Sequence, residues 1–262
     1  MFVEVGVADW LQVETTGSQD ALELRGKRVD GDPHDNLCLR AVRGWRILDP
    51  DLPPVRVTLD KRVPIGSGMG GGSADAAFIL AALGALSDRN PTEEDVAALA
   101  AQLGSDVPFF LRGGTAVCRG RGERIEPVEG LPRLWFAIVK PDASLSTAGV
   151  YSRLRLKDKG RRVQSFLQSL RGYSGGGPEC FNRLESAAFE LAPELRSLRD
   201  LLVQHSGVQW TMTGSGSAFF AVCQSRNRAV DLLQHIAPLG VRDVFVSASA
   251  PRTSMSDLED PS

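Results

Sequence analysis

The chain has 262 residues, 42% of them hydrophobic and 24% charged, which is the composition of a soluble globular protein with material for about two cores. Thirty Lys and Arg against 32 Asp and Glu leave a net charge of −2, which argues against a basic nucleic-acid coat and against an acidic disordered chain. Cys38, Cys118, Cys180 and Cys223 stand far apart, with no CxxC pair; this spacing disfavours a zinc knuckle or a disulfide scaffold and suits free thiols in a reducing cytoplasm. No apolar run approaches about 18 residues, so no membrane span is expected, and the opening MFVEVGVADW lacks the basic start of a secretory signal.

In chain order, the alternation of Phe2 to Val7 reads as a half-buried strand, followed by strands over Leu11 to Thr15 and Ala21 to Leu24. A chain that starts mid-strand suggests a natural beginning further upstream. Asn36 opens an amphipathic helix to about Ile47. Val55, Val57 and Leu59 alternate with polar residues, which makes a strand ended by Pro64. The run Gly66-Ser67-Gly68-Met69-Gly70-Gly71-Gly72 then leads into an Ala-rich helix, Ser73 to Leu83. Thr92 caps a further helix with acidic residues in its first turn and Gly104 behind it. Ser105-Asp106-Val107-Pro108 starts another helix, and strands over Thr115 to Cys118 and Arg124 to Val128 end the first half.

The second half reads as a strand at Trp135 to Val139, a helix from Asn182 to about Ser206, strands at Val208 to Thr213 and Ala218 to Cys223, a helix from Asn227 to about Ala237, and a last strand at Val241 to Ser247. The order β-α-β-β-α-β predicts a ferredoxin-like, split-βαβ domain. The fold class is therefore α+β in two units: 1–134, a mixed α/β nucleotide-binding domain, and 135–250, the ferredoxin-like domain. Gly172 to Pro178 reads as a flexible connection, and 251–262 as a disordered tail.

The glycine-rich run satisfies GxGxxG at Gly66, Gly68 and Gly71, but no second strand follows its helix, which disfavours a Rossmann site. No Lys follows at Walker A spacing, and a protein-kinase loop would join two strands. What remains is a Gly-rich loop at a helix N-terminus, where free amides and the helix dipole favour phosphate; the bland alternative is a mobile turn. A Cβ at Gly71 is expected to intrude where backbone meets phosphate. Ser73 is placed either to cap the helix or to touch phosphate or magnesium.

Pro64-Ile65-Gly66-Ser67-Gly68-Met69-Gly70-Gly71-Gly72-Ser73-Ala74 resembles the nucleotide-binding motif of the GHMP small-molecule kinases. Gly104-Ser105-Asp106-Val107-Pro108-Phe109, Ser146-Thr147 with Val150-Tyr151, Asn182-Arg183-Leu184-Glu185 and Thr213-Gly214-Ser215-Gly216-Ser217 narrow the resemblance to one branch. That branch phosphorylates the 2-hydroxyl of a cytidine-diphosphate-linked methylerythritol in non-mevalonate isoprenoid synthesis. The resemblance implies a two-domain GHMP kinase fold, ATP and Mg²⁺ as cofactors, and ATP phosphates held by Pro64 to Ala74.

It further implies Asp106 as the catalytic aspartate at the attacking hydroxyl, a residue that local sequence alone would read as a helix cap. Thr147 and Tyr151 match positions at the cytidine end of the substrate, although Tyr151 also reads as core; the magnesium ligands are not identified. Members of the family begin with a strand bearing Ala-Lys-Val/Leu-Asn, whose lysine is a second catalytic residue, and then a Gly-Tyr-His segment. Neither is found here, so the expectation is a chain that binds ATP and phosphorylates poorly. Lys61 stands elsewhere in the family pattern and is not given that role. Other readings are another GHMP kinase, such as homoserine or mevalonate kinase, or a catalytically impaired nucleotide-binding protein. Nucleic-acid binding through Arg153, Arg155, Lys157, Lys159, Arg161 and Arg162 is disfavoured because few aromatics interleave. The partner is thus a small-molecule substrate, with neither nucleic acid nor membrane, and the chain a monomer or homodimer.

Overall fold

The computed structural model describes residues 1–27, 29, 32–89, 91–120, 122–155, 163–173 and 178–251. Its first strands are β1 (Phe2–Val3), β2 (Trp10–Thr15) and β3 (Ala21–Gly26). β1 is shorter than the alternation to Val7 suggested. After Val3, Glu4 is held by both polar groups of the Gly114 backbone, its amide on the carbonyl and its carboxylate accepting the N–H at 2.7 Å. Val5 then bridges Ser249 alone.

Asn36 caps α1 (Leu37–Leu48) by accepting the Cys38 amide at 2.9 Å. The helix buries Cys38, Leu39, Ala41, Val42 and Trp45. β4 (Val55–Lys61) lies between β2, antiparallel, and β3, parallel. Val55, Val57, Leu59 and Lys61 share its buried face. α2 (Gly71–Leu86), apolar on nearly every side, runs against α1 through the first core. α3 (Glu93–Leu103) starts in a reciprocal Thr92–Asp95 capping box, and Gly104 closes it with extended backbone. α4 (Val107–Arg112) follows at once. β5 (Thr115–Arg119) and β6 (Arg124–Pro127) join β1 in a sheet of order β1-β5-β6.

The second half contains β7 (Trp135–Lys140), α5 (Thr147–Arg153), α6 (Val163–Arg171), α7 (Leu184–Leu191), α8 (Pro193–Ser206), β8 (Thr211–Met212), β9 (Phe219–Cys223), α9 (Arg226–Ile236) and β10 (Asp243–Ala248). Its sheet has the order β10-β7-β9-β8 with every pairing antiparallel, as the split-βαβ reading requires. Two helices, α5 and α6, were not anticipated between β7 and α7. The single helix expected over 182–206 is two, because Pro193 has no amide to continue the ladder and Ala192 leaves the helical region at φ −137°. Parts of the expected flexible connection, the basic stretch and the tail lie outside the described residues.

Period-2 alternation divides the second sheet between two cores. Ala137, Val139, Phe219 and Ala221 face α7, α8 and α9. Phe136, Ile138, Phe220 and Phe245 face the other way, toward Leu170 of α6, Val3, Val5 and Met69. This third cluster draws on both halves, and Met69 brings the glycine-rich loop into it.

Candidate active site

Gly66, Gly68 and Gly70 take positive φ of 62°, 73° and 75°, alternating with Ser67 and Met69. Such alternation curls successive amides toward one concavity, a shape suited to an anion. The loop ends at Gly70, which is the N-cap of α2; the amides of Gly71, Gly72 and Ser73 fall in the first turn, where a helix supplies no partner. The helix thus begins two residues earlier than expected, and Ser73 sits inside its first turn instead of capping it.

One side of the loop lies on the turn 213–217. Ser217 N–H donates to Gly66 O at 3.1 Å, Ala218 N–H to Ser67 O at 2.9 Å, and the Thr213 hydroxyl to Gly68 O at 3.3 Å. The approach demands glycine, since a Cβ on Gly68 would stand 2.3 Å from Thr213 O and one on Gly214 2.7 Å from Gly68 O. Asn182 donates from Nδ2 to Met212 O and Gly214 O, both at 2.7 Å, and accepts the Leu184 amide at 2.9 Å. Glu185 accepts the Met212 amide at 2.8 Å, and burial pushes its carboxyl pKa upward.

The other end of the loop rests on charge. Lys61 Nζ meets Asp75 Oδ2 at 2.7 Å and also binds Asp9, with all three side chains almost wholly buried. Asp9 accepts the amides of Arg62 at 2.6 Å and Val63 at 2.8 Å through its second oxygen. Two carboxylates share one ammonium, and the pair responds unequally. Burial, with Asp9 as a second negative charge, pushes Asp75 up to about 7 against the pull of Lys61. Burial pushes Asp9 up too, but the lysine and two backbone donors outweigh it and leave its pKa lowered. Lys61 is raised: its desolvation is more than offset by Asp75 and Asp9. A Cβ at Gly71 would press on Val63 at 3.0 Å and Lys61 Nζ at 3.1 Å, so it faces this ionic base and not the open side expected for it.

Asp106 stands where an N-cap of α4 would, yet its side chain makes no capping bond. Burial alone raises its pKa. Its corner packs on the start of α2: a Cβ at Gly70 would come within 2.9 Å of the Phe110 ring, and one at Gly104 within 3.8 Å of Ser73 Oγ. Thr147 begins α5, and its hydroxyl lies 3.0 Å from Ser215 Oγ in the turn. Tyr151 is 57% exposed, so the alternative of a core ring is excluded. The loop's flanks behave as anchors: Pro64 and Ser67 are buried, while Ile65 is exposed. Among the described residues no group of three or more His, Cys, Asp or Glu converges as a metal site, and no helix is long and apolar enough to cross a membrane.

Comparison with known proteins matches residues 36–114 to the N-terminal domain of the GHMP kinases and residues 164–237 to their C-terminal domain. A 4-diphosphocytidyl-2-C-methyl-D-erythritol kinase of Thermus thermophilus is 38% identical over 231 residues, covering 87% of this chain and 80% of the relative. The chain belongs to the GHMP kinase family. A Nocardia farcinica relative of the same name is 37% identical over 261 residues, spanning 96% of this GHMP kinase and 85% of its own length. The crystal structure of a 4-(cytidine 5'-diphospho)-2C-methyl-D-erythritol kinase superposes with a TM-score of 0.75 at 35% identity, covering 94% and 88% of the two chains. A homoserine kinase from Cytophaga hutchinsonii shares the fold, with a TM-score of 0.66 at 18% identity over 94% and 86%.

Proposed function

We propose that this GHMP kinase transfers the γ-phosphoryl group of ATP to the 2-hydroxyl of 4-diphosphocytidyl-2-C-methyl-D-erythritol, a step of non-mevalonate isoprenoid synthesis. The kinase chemistry is supported chiefly by one observation: the half-buried Asp106 carboxyl, free of a capping bond, stands at the corner packed against the start of α2. The acceptor is taken from the relatives named above.

In this reading the loop from Pro64 to Ala74 holds the ATP phosphates, with the amides of Gly71, Gly72 and Ser73 aimed at their charge. The substrate's 2-hydroxyl oxygen attacks the γ-phosphorus, the bond to the β–γ bridging oxygen breaks, and the proton passes to Asp106. A carboxylate whose pKa is raised by burial accepts that proton more readily than an ordinary one. When bound, magnesium would neutralise charge on the transferring group. The Ser73 hydroxyl and the Asp106 carboxylate are oxygen donors at that end of the loop, and the missing capping bond leaves Asp106 able to serve. Thr147 and Tyr151 would face the cytidine end, where an exposed ring is free to stack. The four free cysteines suit a reducing cytoplasm.

The test is turnover with ATP against a panel of the cytidylyl substrate, homoserine and mevalonate, in which only the first should be phosphorylated. Asp106→Asn should lower turnover by about 10²–10⁴ with little change in substrate binding. In the parent chain the acid limb of the pH–rate profile should lie above the ordinary carboxylate range and should be lost in the variant, because the base must be ionised to work. Near-normal turnover in the variant would reduce Asp106 to a helix start.

A further inference from the structure

The segment Asn182 to Glu185 has no part in the chemistry proposed above, yet the side chains of Asn182 and Glu185 are engaged. Asn182 donates both amide hydrogens, to Met212 O and Gly214 O, and its oxygen accepts the Leu184 amide; Glu185 takes the Met212 amide. These bonds grip the entry to the turn 213–217 from α7. The turn bonds the loop at Gly66 O and Gly68 O, Ala218 just behind it adds the bond to Ser67 O, and the turn touches Thr147 through Ser215 and Ala143 O through Ser217.

We propose that Asn182 is a positioning residue for nucleotide: it fixes the 213–217 turn, and through the turn it fixes the first half of the glycine-rich loop. The inference rests on that loop being the ATP site. The loop carbonyls of Gly66, Ser67 and Gly68 are turned into the seam, and the Met69 amide is held inside the loop by the Ser67 hydroxyl at 3.3 Å. Without the turn, those peptides lose the partners that hold them. An amide is the side chain suited to the task, because two carbonyls need two donors while the α7 amide needs an acceptor. Aspartate has the same shape but offers no donor, and it sets negative oxygen against two carbonyl oxygens.

The experiment measures ATP affinity by calorimetry and turnover at saturating ATP for the full chain and its Asn182→Asp variant. The Kd for ATP should rise about tenfold or more, with kcat at saturation kept within about threefold. Thr213→Val, which removes one bond on the far side of the same turn, should raise Kd by about threefold. Ser225→Ala removes the cap of α9, which accepts the Arg228 amide at 3.2 Å, and should lower Tm while leaving Kd unchanged. Kd values within twofold of the parent chain in the Asn182 and Thr213 variants would overturn the proposal. If Asn182→Asp fails to fold, an unchanged Kd in Thr213→Val overturns it alone. A Kd that rises equally in Ser225→Ala would also overturn it, since the loss would then follow stability. A parent chain that binds no ATP defeats the functional reading and this inference with it. An intact ATP site that weakens on Gly68→Ala but ignores Asn182→Asp defeats this inference only.

Discussion

The two ends of the glycine-rich loop are held by opposite kinds of interaction. Toward α2 the anchor is ionic and dry, with Lys61 between Asp75 and Asp9. Toward the second half it is neutral, a seam of carbonyls and amides between 66–68 and 213–218. An ionic anchor concentrates its worth in one side chain, and removing that side chain leaves buried charge unpaired. A backbone seam hardly depends on side-chain identity except where the chains touch, and there only the absence of a side chain serves.

The largest expected contrast comes from Lys61→Met, which strands two buried carboxylates and should cost about 3–5 kcal/mol in denaturant unfolding. Adding Asp75→Asn to it should recover part of that loss, because one of the stranded charges is gone. A loss below about 1 kcal/mol for Lys61→Met would mean that water reaches the triad and that the contrast is false.

Gly68→Ala probes the seam. The left-handed backbone at φ 73° costs about 1–2 kcal/mol, and the 2.3 Å approach to Thr213 O adds to it. ATP affinity should drop by about 10- to 100-fold. Gly72→Ala is the comparison: its Cβ would meet only Leu37 at an ordinary 3.6 Å, so stability should move by less than about 0.5 kcal/mol. Equal effects at the two positions would remove the seam from the account.

The dependence on pH separates the two anchors in another way. Asp75 is raised from 3.8 to about 7 in the fold, so the native state holds its proton more tightly than the unfolded chain does. Its contribution to stability is complete below about pH 4 and is lost as pH rises through about 7. Asp9 works in the opposite sense: it is lowered, so what it contributes is present at neutral pH and lost as acid protonates it. Asp75→Asn should flatten the stability profile between about pH 4 and 7, whereas a seam variant such as Thr213→Val should leave its slope unaltered. An unchanged slope in Asp75→Asn would show that Asp75 titrates as an ordinary carboxylate.

The difference between the two anchors also governs what could be read in the sequence. The glycine run, the helix behind it and the order of the second sheet were legible, because each is local periodicity or backbone freedom. The role proposed for Asp106 comes through family resemblance, since any Asp before Val-Pro reads as a cap. The ionic triad was missed, although half of its signal was present. Lys61 continues the Val55, Val57, Leu59 parity of β4 and therefore had to point into the core. Asp75 is the lone charge in an Ala-rich helix, whereas Asp9 reaches the triad from a loop that no pattern marks. The break at Pro193 was legible too, since a proline inside a helical span supplies no amide for the ladder. The partnership of Asn182 with residues 212 and 214 follows from the tertiary fold and leaves no trace in local spacing.

The seam between 68 and 213 joins positions 145 residues apart in the chain. Contacts of such separation form only after the intervening segment has collapsed, and they slow folding accordingly. During synthesis the loop and α2 emerge long before their partner turn, so the cradle cannot be complete until residue 218 has left the ribosome. A ligand that binds the finished cradle stabilises the whole chain by mass action, and does nothing for a nascent first half. In the proposed reading, nucleotide affinity therefore reports that synthesis has passed residue 218, and it does so at a single loop.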